Sequence, residues 1–261
     1  MSTTSRPAEP APPRGPASAS FSTFGGVAVG LVLLTLGALA FAGLLDGVLE
    51  NDDLTTVDHP VLDWMVTHRT AWLTTLLTGV TNAFGPTLLP ILVAVGCALW
   101  WWRTRRWRDP VLLIGAMLLA VGVSSLVKML VARPRPDETA MTVPGVETSF
   151  SFPSGHTIGA ATLVLVLGYL VWSRRGGARA LVGWVIVSVL LVALVGGSRL
   201  YLGYHFTTDV LAGASLAVGV LGVVVLLDVT LPVLRDRRAV AGPGPVGSGG
   251  LRSSMDRATA F

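Results

Sequence analysis

Three short clusters hold most of the residues in this chain that could do chemistry. Lys128 is the lone lysine among nineteen Lys and Arg residues, and it closes a long apolar run. Arg133-Pro134-Arg135-Pro136 follows. Each proline drives the residue before it out of helix, so both arginines ride on a stiff extended segment. The second cluster, Phe152-Pro153-Ser154-Gly155-His156, leads into another apolar run. Pro and Ser suit a helix start, with Ser154 as its cap. Gly155 lets a ligand approach the backbone, and free amides at the positive end of the helix dipole bind anions. The third cluster runs from Ser198-Arg199 to His205 and Asp209. His205 and Asp209 are four apart, so on a helix they share a face. A carboxylate there accepts the proton of one ring nitrogen, fixes the tautomer and leaves the other nitrogen free to attack.

Together these groups suit a phosphoryl reaction. The cations match a dianion whose transition state spreads charge over its oxygens. Two histidines can divide the work of nucleophile and acid. The clusters hold no set of carboxylates for magnesium and no third ligand at zinc spacing, so no metal or other cofactor is expected. The bland alternatives are a snorkelling lysine, an arginine on lipid headgroups, an ordinary capped helix and a helix-surface ion pair. For one of Arg133 and Arg135 the headgroup contact is the expected role. The other two histidines, His59 and His68, lie in an acidic connection away from these clusters.

The elements that must position these residues are membrane helices. Of the 261 residues 52% are hydrophobic and 13% charged, and the mean hydropathy is +0.67. Soluble domains carry about a quarter charged residues. Apolar stretches predict an all-α polytopic membrane protein with six transmembrane helices. The spans are Phe24–Leu45, Phe84–Trp102, Pro110–Lys128, His156–Trp172, Leu181–Val195 and Thr208–Leu231, with an interfacial or tilted piece before the second. Residues 1–23 read as a disordered segment, 24–231 as the working unit and 232–261 as a flexible tail. The first apolar run lacks the layout of a cleaved signal and reads as a retained helix. Cys97, the one cysteine, reads as a small apolar residue.

Arg103, Arg105, Arg106 and Arg108 join the second and third spans, and Arg174, Arg175 and Arg179 the fourth and fifth. Arg235, Arg237 and Arg238 follow the sixth, and Arg6 and Arg14 precede the first. An even number of spans puts all of these on one side, which the positive-inside rule makes cytoplasmic. The basic balance therefore marks a plasma-membrane protein with cytoplasmic termini, not a nucleic-acid partner. The three clusters fall on the extracytoplasmic side.

The clusters resemble the signature of the type 2 phosphatidic acid phosphatase family, which shares its core with vanadium haloperoxidases and glucose-6-phosphatase. Lys128 with Arg135-Pro136 is similar to the first motif, Lys, six residues, Arg-Pro. Pro153 to His156 matches Pro-Ser-Gly-His. Ser198-Arg199, His205 and Asp209 match the third motif. Arg133-Pro134 resembles the end of the first motif too, but the spacing selects Arg135. The resemblance implies that Lys128, Arg135, Ser154, Gly155 and Arg199 bind the phosphoryl group. It implies that His205 attacks phosphorus, Asp209 orients His205, and His156 protonates the leaving oxygen. It implies a metal-free reaction on a lipid phosphate or diphosphate of the phosphatidic acid, phosphatidylglycerol phosphate or undecaprenyl diphosphate class. Transfer to a second alcohol would use the same residues. A non-enzymatic lipid-phosphate binder or flippase would need the anion pocket but not both histidines. Nothing in the sequence speaks to oligomeric state.

Overall fold

The computed structural model describes residues 16–50, 53–143, 145 and 147–240. Among them are eight α-helices and no strand: α1 (Pro16–Glu50), α2 (Asp58–Thr67), α3 (Ala71–Ala83), α4 (Leu88–Thr104), α5 (Arg108–Val131), α6 (Gly155–Arg175), α7 (Ala178–Tyr201) and α8 (Thr207–Val240). Five of these, α1, α5, α6, α7 and α8, are long and apolar enough to cross a membrane. Helices α3 and α4 pass the same test together and are bent by 53° at their junction, which makes six spans if the pair counts as one. The bend has a local cause. Pro86 has no amide to donate and biases Gly85 out of helix, so the chain turns from Phe84 to Thr87. The piece before the second span is thus a helix of its own.

The membrane-crossing stretches of the outer helices, Thr23–Glu50 and Thr207–Pro232, lie close to the expected spans, with the first running on past Leu45. Helix α8 continues through Pro232. Proline at 232 withholds the amide that would pair with the Asp228 carbonyl one turn earlier. Arg108 donates to that carbonyl instead, so the break in the ladder is repaired by a side chain. The remainder of the expected terminal segments, residues 1–15 and 241–261, lies outside the described residues.

Helix α6 is the buried centre, packed by α5, α7 and α8. Its Ile158, Ala161, Val166 and Leu170 meet Leu89, Val93 and Cys97 of α4, Leu113, Ala116 and Ala120 of α5, and Ala217, Val220 and Val224 of α8. Cys97 is a buried, apolar-packed thiol, as its setting suggested. Large apolar side chains on α1, α4, α5 and α7 remain exposed, which is the surface a bilayer covers. Helix α1 lies along α8, and small residues let the backbones meet. A Cβ on Gly37 would sit 2.5 Å from the Gly219 nitrogen.

At Gly168 the α6 backbone receives the Trp184 ring of α7, whose indole N–H donates to the Val164 carbonyl at 2.6 Å. A Cβ there would overlap the ring. Gly168→Ala should therefore lower stability by about 1–3 kcal/mol, the cost of overpacking a well-filled contact. Thermal unfolding in detergent reads this, and Trp184→Ala in the same chain should remove most of the penalty. A Gly168→Ala protein with wild-type Tm contradicts the packing.

The two ends of the bundle carry opposite chemistry. At one end Arg108, Asp109, Arg174 and Asp228 pair with one another. At the other, the end of α5, the start of α6, the end of α7 and the start of α8 come together with the connections between them.

Candidate active site

Two connections build this end. After Lys128, Ala132 turns in the left-handed region and ends α5, releasing the Arg133–Pro136 segment. That segment pairs with the far end of its own loop, Ser151 N–H donating to the Arg133 carbonyl at 2.9 Å. The second connection links α7 to α8 and carries Leu202 to Phe206. Thr142 N–H reaches the Leu202 carbonyl at 3.0 Å, and Ser154 N–H reaches the Asp209 carbonyl at 3.0 Å. The starts of α6 and α8 are thereby tied directly.

His205 precedes α8, and Asp209 lies in its first turn. The pair was expected along one helix face. It forms instead across the helix N-terminus. Phe206 is the residue before the helix, and its N–H donates to Asp209 Oδ2 at 2.9 Å, the reaching-back half of a capping box. The same oxygen lies 3.2 Å from His205 Nδ1 and accepts the Ser151 hydroxyl. One carboxylate thus caps the helix and holds the imidazole. On the opposite edge of the ring, Arg135 Nη1 donates to Nε2 at 3.2 Å. A guanidinium has no lone pair to offer, so Nε2 carries one and the ring proton sits on Nδ1. The ring is 1% exposed. Burial outweighs the pull of Asp209 and pushes its pKa down to about 3. His205 is therefore a neutral imidazole with its Nε2 lone pair beside a cation.

The arginines form the wall. Arg135 spans the pocket, donating to the carbonyls of Ser149 and Tyr204 at 2.7 Å each. Arg199, 1% exposed, donates to Thr81 Oγ1 of α3 at 2.8 Å and lies over the Tyr204 ring. Its Nε is buried with no hydrogen-bond partner among the described residues. An oxyanion would satisfy that donor. Between the two guanidiniums sits a residue the sequence did not single out, Glu147. Its Oε2 accepts from Arg135 Nη2 at 3.1 Å, and its Oε1 accepts from Arg199. Burial opposes the charge on Glu147, but Arg199 and Arg135 outweigh it and hold the carboxyl below its ordinary range. Arg135 and Arg199 converge as expected, and a carboxylate stands between them where phosphoryl oxygens were placed.

Lys128 faces the same space, with Arg135, Asp209, Glu147 and Arg199 within electrostatic reach, and its ammonium donates to the Phe150 and Ser151 carbonyls. Ser154 takes the residue position before α6 but makes no side-chain cap. Its oxygen instead accepts the Thr157 hydroxyl at 3.0 Å. Gly155 is open, with nothing within 4 Å of where a Cβ would stand. His156 turns toward the pocket, in electrostatic reach of Arg199, Glu147, Arg135 and Lys128. The bend after α3 closes over it, a Cβ on Gly85 falling 3.5 Å from His156 Nε2.

Arg133 is the arginine that sequence reasoning left over for headgroups. It points inward to Asp58 and Asp209, at 2.8 and 2.7 Å. Asp58, Ser151, Glu147 and Thr81 had no sequence signal. Each lies in a connection or short helix and reaches the site only through tertiary folding.

Fold and site together define a membrane-embedded helical protein in which a buried histidine, held by a carboxylate, sits among arginines at one end of the bundle. The family model of the PAP2 superfamily matches residues 109–231. Phosphatidylglycerophosphatase B of Bacillus subtilis is 34% identical over 180 residues, covering 66% of this chain and 84% of that protein. A decaprenylphosphoryl-5-phosphoribose phosphatase of Mycobacterium tuberculosis is 34% identical over 117 residues, 44% of this chain and 56% of that protein. Among solved structures, a transmembrane PAP2-type phosphatidylglycerolphosphate phosphatase from Bacillus subtilis superposes with TM-score 0.62 at 27% identity. That match covers 79% of this chain and 96% of the other. The chain belongs to the PAP2 superfamily, and it is a membrane lipid phosphatase of that family.

Proposed function

We propose that the protein hydrolyses a lipid phosphate at the extracytoplasmic face of the membrane, through a phosphohistidine on His205 and without a metal. The observation that carries this is the state of the His205 ring: Nδ1 on Asp209, and Nε2 with its lone pair facing Arg135. Nε2 attacks phosphorus and the bond to the lipid oxygen breaks. His156 gives that oxygen a proton, so the lipid leaves as an alcohol, or as a phosphate from a diphosphate. Water then attacks the phosphohistidine, with His156 taking its proton, and inorganic phosphate leaves. Arg135, Arg199, Lys128 and the Gly155 amide hold the phosphoryl oxygens, with Glu147 displaced. Such preorganised donors are worth several kcal/mol at a developing charge, of order 3–4 each.

A metal-free route is supported by the donor set. Among the described residues no three His, Cys, Asp or Glu side chains converge on a common point. The sidedness rests on the arginine-rich connections at the far end of the bundle. The unit responsible is the helical region of residues 24–231. The names of the relatives support a lipid phosphate, and phosphatidylglycerol phosphate is the first substrate to test, ahead of phosphatidic acid and undecaprenyl diphosphate.

The experiment is phosphate release by purified protein in detergent from a panel of lipid phosphates. Turnover should persist in excess EDTA, and vanadate should inhibit it, since its trigonal-bipyramidal form resembles the phosphoryl group in flight. Loss of turnover in EDTA with recovery in magnesium contradicts the metal-free route.

A further inference from the structure

We propose that Arg133 and Asp58 are positioning residues that act on the reaction through Asp209. The inference rests on the phosphohistidine reading above. Asp209 Oδ2 is the oxygen committed to His205, Ser151 and the Phe206 amide. Its other oxygen, Oδ1, accepts from Arg133 Nη1 at 2.7 Å. The carboxylate is 0% exposed, so water cannot hold it if that partner is lost. Arg133 therefore sets the rotation of the carboxylate plane, and with it the direction of the oxygen that aims His205.

Arg133 is itself fixed from three sides. Its Nη1 also donates to Thr208 Oγ1 at 2.7 Å, its Nη2 donates to Asp58 Oδ2 at 2.8 Å, and its guanidinium lies 4.5 Å from the centre of the Phe206 ring. Asp58, on α2 and 1% exposed, closes the circuit. It accepts the Thr208 N–H at 2.9 Å and the Thr208 hydroxyl at 2.6 Å. Thr208 is in the first turn of α8, so a carboxylate from α2 satisfies one of the free amides there. Asp58 also neutralises Arg133, which keeps an uncompensated cation from sitting behind Asp209. None of the hydrogen bonds of Arg133 or Asp58 goes to Arg135, Arg199, Lys128 or Glu147. The relay backs the nucleophile without touching the phosphoryl pocket.

The test is a double-mutant cycle on purified full-length protein in detergent. Arg133→Gln should lower kcat about 10- to 100-fold, the size found for groups that orient a metal-bound imidazole from behind. The inhibition constant for inorganic phosphate, a ground-state anion that the arginines hold without attack by His205, should stay at its wild-type value. In an Asp209→Asn background, Arg133→Gln should cost no more than about twofold further, because its target is already altered. Asp58→Asn should show the same kcat-only pattern more weakly, and Arg133→Lys should recover part of the loss. Should Arg133→Gln not fold, Asp58→Asn and Arg133→Lys carry the same comparison. Wild-type kcat in Arg133→Gln and Asp58→Asn overturns the inference, as do losses that multiply with Asp209→Asn or that fall on the affinity for inorganic phosphate. A wild-type protein that releases phosphate from no lipid strikes the functional reading instead.

Discussion

A His205→Ala protein should release no phosphate from any lipid phosphate, a loss of about 10⁴-fold or more, as when a covalent nucleophile is removed. The size follows from the geometry. No other described imidazole is placed with one nitrogen on a buried carboxylate and the other against an arginine of the pocket. Alanine leaves Asp209 held by Arg133, Ser151 and the Phe206 amide, so the start of α8 should keep its form. The protein should remain folded and still bind vanadate through Arg135 and Arg199, though more weakly. The same geometry has a pH consequence. Burial lowers the His205 pKa to about 3. The neutral, nucleophilic ring is thus present above that pH and is lost only as pH falls through it. Nitrogen NMR of the free protein, with His205→Ala for assignment, should show the His205 ring staying neutral well below 6.5. If the His205 ring titrates near 6.5, the buried neutral nucleophile is wrong.

Gly203→Ala should cost about 3–5 kcal/mol of stability and most of the activity, more than an ordinary core substitution. Gly203 has φ +80, a conformation L side chains rarely adopt, and its Cβ would overlap the Ala140 carbonyl oxygen and lie 2.7 Å from the carbonyl carbon. That carbonyl cannot step aside easily, because Arg69 Nη2 donates to it at 2.6 Å and Arg69 Nε anchors to the Tyr201 carbonyl at 2.7 Å. Relief must come from the 202–205 segment, which carries His205 itself. Gly145→Ala supplies the contrast. Gly145 has φ +75 but nothing within 4 Å of a Cβ, so it carries the conformational cost without the clash. Thermal unfolding of both variants in detergent separates the two contributions. Equal shifts in Tm would show that the contact with Ala140 does not matter.

Much of this architecture was legible in the sequence because the bilayer limits what a chain can do. Apolar run length reports spans directly, and the helical class and the bundle core followed from it. The buried, apolar-packed Cys97 was legible for the same reason. The three polar clusters stood out because charges at membrane boundaries are scarce, and the fold brings them to one end. The His205–Asp209 contact was foreseen, but its geometry was not: a spacing of four serves a helix face and a helix start equally. What stayed hidden depends on tertiary placement. Glu147 is one glutamate in a polar loop until folding sets it between Arg135 and Arg199. Asp58 is one of several acids in its connection, and only the packing of α2 against α8 separates it from the rest. The continuation of α8 past Pro232 had no sequence signal, because the repair of its missing bond comes from Arg108 at the start of α5. Arg133 read as a surface cation because its two carboxylate partners lie about 75 residues away on either side, distances over which sequence carries no pairing signal.

The identity of the phosphorylated group decides whether this account of the chemistry stands. Wild-type protein in detergent is mixed with phosphorus-labelled phosphatidylglycerol phosphate, quenched within one turnover and digested, and the label is mapped. The account predicts label on the peptide that holds His205, stable in base and labile in acid, and absent from the His205→Ala protein. Full phosphate release with no label on the protein at any quench time, or label on the peptide of His156, would contradict it.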